Sequence, residues 1–191
     1  MLNLPAHQEV CRQFSRLLGY PDGSQPLVLA SLMANLAPVA QEALASLQRF
    51  AAFLDNGTPA RVEEIYTSCF DLQPSCHPYV GYLLFGESQA RIVFLMRLKE
   101  LYRSYGFVED AELPDHLATM LRFLGSINDQ PCRSEIIVDG LRPALEKLVA
   151  GLEGEDQPYL DLLLALRTFL NLPLADASCD IPAGREKECV S

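Results

Sequence analysis

From Ala6 to Asn171 the apolar residues of this chain recur with helical period, and strand-like alternation is scarce. Such a pattern admits an all-α fold in which each segment buries one stripe against its neighbours. It predicts helices over 5–19, 26–36, 38–55, 59–71, 78–85, 88–105, 114–127, 132–150 and 157–171, a single-domain bundle of about eight to nine helices. Thr58 can cap a helix that begins at Pro59, where the missing N–H costs nothing. Gly106, just after Tyr105, can close 88–105 in a left-handed conformation. Within that segment Phe94, Leu98, Leu101 and Tyr105 form one apolar stripe, so the helix is expected to pack by one side. By contrast Leu160, Leu162, Leu163, Leu164, Leu166, Phe169 and Leu170 surround most of the last helix, which is expected to be central. Pro143 lies inside a helical pattern and predicts a kink or break after Arg142. After Leu174 apolar periodicity ends, so 1–174 is read as the helical domain and 175–191 as a mobile tail.

Charge narrows the partners. Across 191 residues, 15 basic against 25 acidic side chains give a formal charge of −10. This balance argues against nucleic acid or an anionic membrane as the main partner and favours a basic or neutral one. A hydrophobic content of 49% excludes disorder of the whole chain. No apolar run reaches the roughly 18 residues of a membrane span, so a cytoplasmic protein is expected. Cys11, Cys69, Cys76, Cys132, Cys179 and Cys189 include no C-x-x-C, and His7, His77 and His116 no H-x-x-x-H. Reduced thiols are expected, not a structural zinc site; Cys76 beside His77 is the one adjacency of interest.

The common phosphate-binding glycine motifs are absent. Gly86-Glu87-Ser88-Gln89-Ala90 approaches a nucleophile elbow, but an elbow needs a parallel sheet that this chain does not supply. The local reading is a helix that ends at Gly86 and another capped by Ser88. Three further features have local readings as well. Tyr66 and Phe70 share a helix face before Asp71, which suits core packing. Glu87 and Ser88 precede Arg91 at a helix start, where exposed N–H groups favour negative charge. Glu112-Leu113-Pro114-Asp115-His116-Leu117 places two acids and a histidine around a proline expected to begin a helix.

Taken in order, Tyr66-Thr67-Ser68-Cys69-Phe70-Asp71, Leu84-Phe85-Gly86-Glu87-Ser88, Leu98 through Tyr102 to Gly106, and Glu112 to Leu117 with Leu121 and Leu124 form a recognisable set. Over 66–124 the chain resembles the NarJ-type nitrate reductase molybdenum cofactor assembly chaperones, among the TorD-like redox enzyme maturation proteins. The resemblance implies an all-helical, non-enzymatic, cytoplasmic chaperone. Its partner would be the N-terminal leader and apo form of the catalytic subunit of a nitrate reductase-like molybdoenzyme. It would promote insertion of bis-molybdopterin guanine dinucleotide into that subunit and hold no cofactor stably itself. Tyr66, Phe70, Asp71, Glu87, Ser88, Arg91, Pro114, Asp115 and His116 match family motif positions, as does Gly86, and the resemblance assigns client binding to this region. The chain departs from the pattern at Gln89 and Ala90, at Ile92 where glycine is common, and at Ala118 where proline is common. The client's own substrate stays open. Two alternatives are a helical adaptor for another amphipathic helix and a hydrolase using Ser88 and His116.

Overall fold

Asn3, Thr58 and Asp129 each turn a side-chain oxygen onto the backbone of the helix that follows, and each of those helices has a proline in its first turn. The computed structural model describes residues 2–72, 77–108, 111–152 and 157–173. Its helices are α1 (Leu4–Leu17), α2 (Gln25–Leu36), α3 (Gln41–Asn56), α4 (Pro59–Phe70), α5 (Val80–Phe85), α6 (Gln89–Ser104), α7 (Leu117–Leu124), α8 (Gln130–Glu135), a π-helical stretch Ile136–Leu141, α9 (Arg142–Leu152) and α10 (Pro158–Leu170). The all-α expectation holds, and the ends at Gly86 and Gly106 fall where left-handed φ values of 63° and 65° close α5 and α6.

Helix α10 packs chiefly against α3, with α9 beside it, and α1 joins α2 to α7. Leu162, Leu163, Leu166, Phe169 and Leu170 of α10 are all buried, which places this helix in the centre as its composition requires. Aromatic pairs tie the layers together. Tyr159 lies 5.3 Å from Phe50 and 5.1 Å from Phe70, and Phe14 lies 5.7 Å from Phe169. Each fully buried side chain of this size contributes roughly 1.5–3 kcal/mol, so these contacts dominate the cohesion of the bundle.

Four expectations change. The helix expected over 114–127 begins only at Leu117 and ends at Leu124. Residues 114–116 form a corner instead, a turn in which His116 N donates to Leu113 O at 3.0 Å, and other segments claim its backbone carbonyls: Tyr102 Oη donates to Pro114 O at 2.8 Å and Val80 N to Asp115 O at 2.8 Å. Pro114 therefore does not start a helix. Ser88 occupies the cap position of α6, yet its side chain makes no capping bond. Tyr105 is 39% exposed and leaves the apolar stripe, its hydroxyl donating to Asp129 at 2.8 Å, while Tyr102 is buried in its place. Pro143 does not split its helix. The preceding turn widens instead, with Arg142 N donating to Ile137 O, five residues back. A π-turn accommodates a residue that lacks an N–H and crowds the carbonyl four residues earlier. The tail 175–191 and Cys76 lie outside the described residues.

Candidate functional site

The corner 114–116 is held by a single antiparallel bridge between Tyr79 and His116. Val80 N donates to Asp115 O at 2.8 Å and Leu117 N to Pro78 O at 2.7 Å, so the segment entering α5 is fastened to the segment entering α7. His116 then caps α7: its Nδ1 accepts from Ala118 N at 3.2 Å. A proline at 118 would have no N–H for this bond, so alanine at that position suits the cap observed. The imidazole stands edge-on to the Tyr79 ring at 5.4 Å. Burial holds the His116 pKa below its ordinary value, against the pull of Glu112, Asp115 and Asp71, so the neutral ring is favoured.

Behind the corner, Asp115 is 0% exposed and its Oδ2 accepts from Arg91 Nε at 3.3 Å. The Arg91 guanidinium lies 5.7 Å from the Tyr79 ring centre and 5.5 Å from that of Tyr82, a cation–π arrangement on two faces. Gly81 makes this possible. A Cβ there would sit 2.7 Å from Asp115 Oδ2 and 2.8 Å from Phe94 Cδ1.

In front of the corner lies a polar trough of about 420 Å³ whose wall includes Tyr20, Asp22, Tyr66, Asp71, Tyr79, Glu112 and His116, together with Arg16 and Arg122. Tyr66 Oη donates to Leu18 O at 3.3 Å, and its ring meets Phe70 edge-on at 5.1 Å, so this pair is core on one side and trough wall on the other. The Tyr79 hydroxyl donates to Glu112 at 3.2 Å. Its pKa is pushed up to about 12, by burial first and by Glu112 second. The trough thus combines three tyrosines with three carboxylates against two arginines, a surface that can meet apolar and basic side chains of a peptide.

The residues singled out from the sequence divide into two groups. Tyr66, Asp71 and His116 meet in the trough, whereas Phe70, Pro114 and Asp115 are buried and do not line it. Glu87 and Arg91 line a shallower cavity with His77, Tyr82 and Leu113, and Tyr79 is the residue common to both. Ser88 is exposed at the start of α6 and makes no hydrogen bond to His116, whose Nδ1 is occupied by Ala118. The nucleophile–base pair of a hydrolase is not formed here. Sequence reasoning missed Tyr79, Tyr20 and Gly81. Only Gly81, a glycine inside a helical pattern, carried a local signal of close backbone approach. Among the described residues no group of three or more His, Cys, Asp or Glu side chains could hold a metal ion, and no helix is long and apolar enough to cross a membrane.

Comparison with known proteins bears on this geometry. Residues 34–165 match the family model described as nitrate reductase delta subunit. The chain is 28% identical over 171 residues to the protein assigned in Bacillus subtilis (strain 168) as the nitrate reductase molybdenum cofactor assembly chaperone NarJ, covering 88% of this chain and 92% of that one. A crystal structure of a protein assigned to redox enzyme maturation in Archaeoglobus fulgidus has a TM-score of 0.58 and 24% identity, covering 85% of this chain and 93% of that one.

Proposed function

The chain belongs to the nitrate reductase delta subunit family, and from this membership we propose that it is a chaperone that binds the apo catalytic subunit of a nitrate reductase-like molybdoenzyme through its N-terminal leader. In this reading it promotes insertion of bis-molybdopterin guanine dinucleotide into the client, keeps no cofactor stably, catalyses no reaction and works in the cytoplasm. The observation that carries it is the convergence of separate sequence segments on one trough: Tyr66 and Asp71 from the end of α4, Tyr79 before α5, and Glu112 with His116 before α7. A leader with apolar and basic residues would lay its apolar side chains on Tyr66, Tyr79 and His116 and its basic ones toward Asp71 and Glu112. Arg91, Glu87 and Ser88 would contact the client on the far side of Tyr79. Phe70, Pro114 and Asp115 act as positioning residues, because they are buried.

The test has two arms. Titration calorimetry with a synthetic peptide of the leader of the organism's own nitrate reductase catalytic subunit should give saturable binding that weakens in the Glu112→Gln and Tyr79→Ala variants. Client subunit purified from cells carrying His116→Ala should contain less molybdenum than client from wild-type cells, with the variant itself still folded. A peptide that fails to bind, together with full molybdenum loading in the variant, would overturn the reading.

A further inference from the structure

Tyr20 separates the trough from a second cavity. This one, of about 500 Å³, lies between the turn joining α1 to α2 and the turn joining α3 to α4, and its wall includes Pro21, Asp22, Gln25, Leu54, Val62 and Glu63. The two adjoin: Asp22 lines both, and Tyr20, in the trough wall, donates its hydroxyl to Glu63 at 3.3 Å. Each is of the size that holds a few side chains.

Two independent observations distinguish this cavity from a surface irregularity. Gln25 is 4% exposed, and its Nε2 has no hydrogen-bond partner. A buried amide donor left unpaired is uncommon in folded proteins and calls for an acceptor from elsewhere. Asp22 and Glu63, moreover, form no ion pair among the described residues. The Asp22 Oδ1 accepts from Ser24 N at 2.9 Å and Ser24 Oγ at 2.5 Å, and Arg16 is engaged with Ser24 Oγ at 3.0 Å. The second carboxylate oxygen of Asp22 and one of Glu63 are available to a cation.

We propose that this cavity is a second subsite of the peptide-binding surface, taking one basic side chain between Asp22 and Glu63 and a neighbouring main-chain carbonyl on Gln25 Nε2. The methylene stem of the basic side chain lies on Leu54, Val62 and Pro21. The carbonyl that meets Gln25 Nε2 lies outside a regular helix or in its last turn, because interior helical carbonyls accept within the helix. This inference rests on the leader reading of the trough and adds to it a second stretch of peptide, beyond Tyr20, with its own charge requirement.

The experiment measures fluorescence anisotropy of the labelled leader peptide and of the same peptide with every arginine replaced by the neutral isostere citrulline and every lysine by norleucine. Proteins compared are the wild type, the Asp22→Asn/Glu63→Gln double variant, and Gln25→Met. Both amide substitutions keep the acceptors used by Ser24 and Tyr20, so the fold is retained, which melting curves check. The double variant is expected to bind the charged peptide about tenfold more weakly, the size of two partly exposed ion pairs, and the neutral peptide no differently from wild type. Gln25→Met is expected to bind both peptides several-fold more weakly at an unchanged or higher melting temperature, whereas a structural glutamine would lower it. Equal affinity of wild type and double variant for the charged peptide overturns the subsite and leaves the leader reading in place. Absence of binding to the wild type overturns both.

Discussion

Arg91 Nε stands 3.3 Å from Asp115 Oδ2, and the carboxylate that it meets has no exposed surface while its other oxygen, Oδ1, has no hydrogen-bond partner. The pair joins the first turn of α6 to the corner before α7, twenty-four residues later in the chain. A buried pair of this kind contributes little net stability, but removing one member strands the other. Arg91→Met should therefore cost about 2–4 kcal/mol, Asp115→Asn less, and the double variant less than their sum. Urea unfolding of the four proteins checks this. Strictly additive losses would mean that the two side chains do not act as a pair.

Gly81 permits that arrangement, and alanine there would bring Cβ within 2.7 Å of Asp115 Oδ2 and 2.8 Å of Phe94 Cδ1. Alanine would favour an isolated helix, but the overpacking cost of about 1–3 kcal/mol is expected to exceed that gain. The midpoint of thermal unfolding of Gly81→Ala should fall, and affinity for the leader peptide should fall with it as the corner shifts. A raised midpoint would show that Phe94 and Asp115 move aside without penalty.

His7 supplies a pH dependence. Its Nδ1 faces the buried Arg133 Nη2 at 2.5 Å, so the ring must be neutral and accept at that nitrogen. Burial first, and Arg133 second, lower its pKa from 6.5 to about 4. The folded value lies below the unfolded one. The stabilisation is therefore complete above the unfolded pKa and is lost as pH falls from 6.5 toward 4, a loss of roughly 3 kcal/mol. His116, also lowered by burial, acts in the same direction. Urea midpoints should decline steadily over that interval, and a flat profile would exclude both histidines as its source.

For leader binding, exposed ion pairs contribute about 0.2–1 kcal/mol each, whereas burying one leucine contributes roughly 1.5–3 kcal/mol. Leader leucines replaced by alanine should therefore weaken binding more than one arginine so replaced. Calorimetry with variant peptides at two salt concentrations checks this. The reverse order, with steep loss of affinity in salt, would mean that charge attraction outweighs apolar contact in holding the leader.

Much of the helical architecture was legible in the residues alone, because a helix is decided by bonds between neighbours in sequence. Thr58 accepts from Arg61 N at 3.3 Å as its position before Pro59 implies, and Tyr66 and Phe70 meet as residues four apart should. The apolar circumference of α10 made its central place readable as well. What the residues could not disclose are the arrangements that join distant segments. The ELPDHL segment reads as a helix start at Pro114, yet its backbone is taken up by Tyr79, Val80 and Tyr102, and the start moves to Leu117 with His116 as its cap. Arg91 and Asp115 are charged residues that local reasoning places on a surface, and packing of α6 against the corner buries their contact. Gln25 shows no periodic signal at all, and its unpaired amide exists only because two inter-helix turns close around it. Local periodicity therefore determined which segments are helical, while the tertiary packing decided which polar groups face one another, since hydrogen bonds and ion pairs between remote segments depend on distances that no local pattern encodes.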